Sequence, residues 1–92
     1  MTGSTLADAT TGRRVCITRV ALEGEAAAWL AAVGLHEGEE LVVLRRAALG
    51  GPLHVRSASG GEFAVAREVA QQILVAAVAD AAVADAEASR SP

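Results

Sequence analysis

The sequence predicts a mainly β fold: a small, strongly bent antiparallel barrel of about five strands, with one short helix after the first strand and a helical turn before the last. Three observations lead there. Five short runs rich in Val, Ile, Leu or Phe are separated by turn residues. A single stretch, 22–35, changes the apolar period from two to that of a helix. The 92 residues hold too few strands for a flat two-layer sandwich, so the sheet must bend on itself to cover its core.

Taken in order, residues 1–11 are small and polar and read as a flexible lead-in, with Leu6 able to tuck against the domain. RRVCITRV (13–20) reads as a strand with Val15 and Ile17 on one face, Cys16 and Thr18 on the other. In LEGEAAAWLAAVGL, residues Ala26, Trp29, Leu30 and Val33 fall at i, i+3, i+4 and i+7, the apolar stripe of a short helix. Glu25 suits its first turn, Gly34 the left-handed position beyond its end, and Leu35 can close back on the last turn. HEGEE turns the chain at Gly38. ELVVLRRA (40–47) is apolar on both faces from Leu41 to Leu44, the mark of a central strand. Pro52 lacks a backbone donor and belongs where the next strand starts. PLHVRS sends Leu53 and Val55 inward, His54 and Arg56 outward. EFAV (62–65) adds Phe63 and Val65 to the core, AREVAQQ makes a helical turn or two, and ILVAAV (73–78) closes the sheet. The domain is expected over 12–78, followed by an acidic, Ala-rich tail over 79–92 that packs little and is dispensable for stability.

Composition bounds the function. Half the residues are hydrophobic (52%) and 21% are charged, which is globular rather than disordered. The net charge is −3, but seven arginines balance seven glutamates between Gly12 and Val75. A polyanion-binding domain shows a basic excess, and stacking on bases needs exposed aromatics. With only Trp29 and Phe63 aromatic, nucleic acid is not an expected partner. A single cysteine excludes an internal disulfide and any multi-cysteine metal site, and Cys16 reads as a small core residue. The N-terminal residues lack signal-peptide regions and the apolar runs are too short to span a bilayer, so a soluble cytoplasmic protein without direct membrane insertion is expected.

No catalytic constellation emerges. Neither histidine adjoins a nucleophile motif, and the GEE and EGE runs are turn-flanking carboxylates. His36, His54 and Glu37 show no metal-ligand spacing, so no metal, cofactor or catalytic residue is assigned. Gly50-Gly51 lies between two strands without the Lys-Ser/Thr of a phosphate loop, and serves a hairpin.

Three motifs stand in order: Gly34, Leu35 and Gly38 after the helix, then Gly50, Gly51, Pro52 and Leu53 in the hairpin, then Val65, Arg67, Ala70, Ile73 and Val75 at the end. In their order and spacing the chain resembles the FeoA family of small bacterial proteins of ferrous iron uptake. The resemblance covers about residues 6–75. It implies an SH3-like fold, no enzymatic chemistry, and association with the cytoplasmic region of FeoB, the membrane iron transporter. A weak homo-oligomer is compatible with it. The alternative is an SH3-like regulatory module such as the last domain of iron-dependent transcription repressors. A docking face is expected at Leu35, Arg45, Leu49 and Arg56: Leu49 because a hairpin turn needs no leucine, Leu35 beside the helix cap, and the arginines as a charged rim. The competing reading of the arginines is a solvated face linked to Glu39, Glu40 and Glu62. Trp29, on the helix's apolar stripe, is expected in the core.

Overall fold

A computed structural model describes residues 4–78 of the chain. Six strands form one antiparallel sheet in the order β1-β6-β2-β3-β4-β5. They are β1 (Ser4–Thr5), β2 (Arg14–Val20), β3 (Glu40–Arg46), β4 (Leu53–Ser57), β5 (Glu62–Val65) and β6 (Ile73–Ala77). Helix α1 (Gly24–Ala32) follows β2, and the four-residue α2 (Arg67–Ala70) precedes β6. The five expected strands are present, and the sheet is bent but open, with β1 and β5 as its edges.

The sixth strand comes from the expected lead-in. Ser4 and Thr5 pair with Val75 and Leu74, and the 3-10 turn Leu6–Asp8 follows. Leu6, Ala7 and Ala9 are buried. Residues 4–9 thus belong to the folded domain, because this segment covers the end of the core that the bent sheet leaves open. Burying Leu6 alone is worth about 2 kcal/mol. The tail expected over 79–92 lies outside the described residues.

Two β-bulges bend the sheet and reset which side chains face the core. In β2, Ile17 pairs with Val75 but Arg19 pairs with Leu74, leaving Thr18 as the extra residue. In β3, Val43 pairs with Val55 and Arg45 with His54, leaving Leu44 extra. Strict alternation would continue Val15-Ile17 to Arg19 and Leu41-Val43 to Arg45, pointing both arginines into the core. The bulges instead place Arg19 and Arg45 outward, and Val20 opposite the buried Ile73. The core joins Val15, Ile17, Leu41, Val43, Leu53, Val55, Val65, Ile73 and Val75 of the sheet to Leu6, Leu30, Leu35 and Ala70.

Helix α1 ends as its sequence predicts. The Leu35 N–H donates to the Leu30 carbonyl (2.8 Å) and the Gly34 N–H to that of Ala31 (3.1 Å), with Gly34 at φ 89°. This is the two-bond C-terminal cap that requires a left-handed residue, closed by apolar contact between Leu30 and Leu35 in the core. The expected stripe is only partly buried. Leu30 is fully covered, but Trp29 is 44% exposed and meets Phe63 edge-on at 6.5 Å. Neighbouring helical residues point about 100° apart, and a nine-residue helix offers the sheet only one buried row. Leu30 takes that row and Trp29 is left at its margin, so the expectation of a core tryptophan is corrected. Phe63, on edge strand β5, is likewise only half-buried. Cys16 is half-buried on the outer face of β2, not in the core.

Candidate docking surface

The hairpin between β3 and β4 is where the sequence places its unexplained leucine. The Ala47 N–H donates to the Pro52 carbonyl at 2.9 Å, and within that bracket the Gly51 N–H donates to the Ala48 carbonyl at 3.2 Å. The two central residues, Leu49 and Gly50, have φ 59° and 75°. Positive φ at both positions defines the hairpin turn whose twist matches the strands, a turn that favours Asn, Asp and Gly. Gly51 is needed for contact: a Cβ there would stand 2.7 Å from that of Ala47. Leu49 therefore occupies a left-handed position that leucine disfavours, with its side chain fully exposed. Among the described residues it is the sole non-glycine with positive φ.

The expected site residues separate in space. Arg45 lies outward on β3 opposite His54, close to the hairpin, with no ion pair among the described residues. Arg56 shares that outer face but sits opposite Val42, farther from the turn, and its guanidinium reaches Glu62 at 3.5 Å. The same carboxylate meets the His54 ring at 3.2 Å. That hydrogen bond holds Glu62 below its ordinary carboxylate range; partial burial opposes it and the Arg56 charge adds to it. Arg56 is thus salt-linked to Glu62, whereas Arg45 makes no ion pair among the described residues. Leu35 is fully buried at the far end of the sheet. It closes the helix cap and is not presented to a partner, which corrects its placement on the docking face.

Arg46 separates from its neighbour altogether. The Leu44 bulge puts it in register with the inward Leu53, and its guanidinium donates to the carbonyls of Ala7 (2.6 Å) and Ala9. It ties down the N-terminal segment. Arg67 is the residue sequence reasoning missed at the hairpin: its Cδ lies 3.8 Å from where a Gly50 Cβ would be. The available signal was its position two residues past Val65, which pairs with Leu53 beside the turn. The hairpin end thus presents an exposed leucine with Arg45 and Arg67 beside it.

Among the described residues no three His, Cys, Asp or Glu side chains converge as a metal site requires, and no helix is long and apolar enough to cross a membrane. The arrangement defines a small SH3-like sheet domain. The FeoA domain profile matches residues 4–77, and the chain belongs to the FeoA family. It is similar to FeoA from Chlorobium tepidum, with 33% identity and a TM-score of 0.75 over 82% of this chain and 70% of that one. It is similar also to iron(II) transport protein A from Clostridium thermocellum, with 26% identity and a TM-score of 0.75 over 80% of this chain. There it spans only 45% of the related chain. A manganese-dependent transcriptional repressor shares the fold at a TM-score of 0.77 and 22% identity, with 38% of its length covered. No curated protein sequence matches the chain.

Proposed function

We propose that this chain is a non-enzymatic accessory protein of bacterial ferrous iron uptake. It acts in the cytoplasm by docking on the cytoplasmic region of a FeoB-type membrane transporter, with iron as the transporter's cargo. Membership of the FeoA family over residues 4–77 carries this reading. Its physical support is Leu49, strained and fully exposed beside Arg45, an apolar centre with a charged rim. Leu49→Ala and Arg45→Glu, each checked for fold by circular dichroism, should weaken pull-down of the transporter's cytoplasmic region by about tenfold or more. Deleting the gene should lower ferrous uptake. If both variants stay folded and bind like the parent, the hairpin is not the docking face.

The likeness to the repressor supports a second reading, an SH3-like regulatory module. It predicts the opposite phenotype: unchanged ferrous uptake on deletion, with altered metal-responsive transcription.

A further inference from the structure

The sheet segregates charge that the sequence balances. β3 runs about 20 Å from Glu40 to the hairpin, so its two ends are distinct surfaces. The hairpin end gathers Arg13, Arg45, Arg46 and Arg67, with Asp8 and Glu68 as its acids. The opposite end carries Glu23, Glu25, Glu37, Glu39, Glu40 and Glu62, with Arg14, Arg19 and Arg56 as its cations and Glu62 paired to Arg56. Glu40 reaches Arg14 at 3.7 Å and Glu39 accepts from Ser59, which leaves Glu23, Glu25 and Glu37 without an ion pair among the described residues.

Between α1 and the end of β2, this acidic end opens into a groove of about 380 Å³. Its floor and walls include Val20, Leu22, Ala27, Leu30 and Ala31, and Glu37 stands at its edge. Glu23 adjoins Leu22 on the chain. The molecule therefore carries an apolar knob in an arginine-rich setting, Leu49, and an apolar groove in a glutamate-rich setting. The sheet holds the two apart, so Leu49 cannot enter its own groove.

We propose that the occupant of this groove is the β3–β4 hairpin of a second copy, with Leu49 inserted between Leu22 and Ala31 and Arg45 and Arg67 facing Glu23 and Glu37. The contact joins two different patches and is head-to-tail, so association continues into a ring or a short chain. It needs no transporter and stands or falls independently of the reading above. Because both uses engage Leu49, a hairpin seated in a neighbour's groove is unavailable for transporter docking.

The test uses the full 92-residue chain in sedimentation velocity over a range of concentrations at low and high salt. The parent should associate as concentration rises, and less so at high salt. Leu49→Asp removes the knob and Ala31→Glu spoils the groove, each at an exposed position. Glu37→Arg, on an exposed turn, serves as a second groove variant should Ala31→Glu fail to fold. Each variant alone should remain monomeric. An equimolar mixture of the knob variant and a groove variant should form a 1:1 dimer and nothing larger, since one intact knob and one intact groove remain. The proposal is overturned by a parent that stays monomeric to millimolar concentration, by a mixture that stays monomeric, or by Leu49→Asp associating like the parent, which would give the groove another occupant.

Discussion

At Leu49 the left-handed backbone costs about 1 kcal/mol relative to a residue suited to it. The exposed side chain also forgoes the stabilisation of about 2 kcal/mol that burial of a leucine brings. Asparagine tolerates this conformation and, before Gly50, makes the pairing that such hairpin turns favour. Leu49→Asn should raise stability by about 1 kcal/mol, seen as a rise of about 5 °C in melting temperature. It should weaken both docking and self-association. A variant less stable than the parent would show that the leucine packs within its own domain. That Leu49 is surplus to the turn was legible in the sequence, since a Gly-Gly-Pro hairpin supplies its own turn chemistry. That Leu35 is not surplus was half legible: its position after Gly34 is the position of the cap residue that closes onto the helix.

Single elements here depend on a few specific backbone contacts. The α1 cap relies on Gly34 at φ 89°, where a side chain would find space, the nearest atom to an added Cβ being 4.0 Å away. The cost of Gly34→Ala is therefore conformational, about 1–2 kcal/mol, and denaturant unfolding should show that loss with an unchanged m-value. The N-terminal segment relies on Arg46, whose charge-assisted hydrogen bonds to Ala7 and Ala9 join residues nearly forty positions apart in the chain. Arg46→Met keeps much of the stem and removes the donors. Stability should fall by about 2 kcal/mol, and amide exchange should accelerate at Ala9, whose N–H donates to the Leu6 carbonyl. Exchange as slow as in the parent would mean that burial of Leu6 alone holds the segment. The strands themselves were readable from alternation and turn residues. The bulges at Thr18 and Leu44 were not, because an extra residue in one strand is defined only against the partner strand.

For the whole molecule, the balance of seven arginines and seven glutamates looks featureless as a count. Antiparallel pairing turns it into two unlike ends. Arg45, Arg46 and Arg67 flank the β3–β4 hairpin while most of the glutamates fall at the other end of the sheet, so the two ends differ in net charge. A neutral domain with separated poles can orient a partner or a second copy through its field.

By itself, the sequence determined the β class, the position of each strand from Arg14 onward, the helix and its cap, and the hairpin carrying an exposed leucine. These follow from side-chain period and from the backbone conformations that Gly and Pro allow, both properties of a few consecutive residues. Only the tertiary structure decided that Leu30 and not Trp29 is buried, that Arg45 faces outward while Arg46 anchors the N-terminal segment, and that residues 4–9 complete the sheet and core. The reason is physical. Each of these outcomes depends on strand register and on competition for one buried row, and both are set between residues distant in sequence.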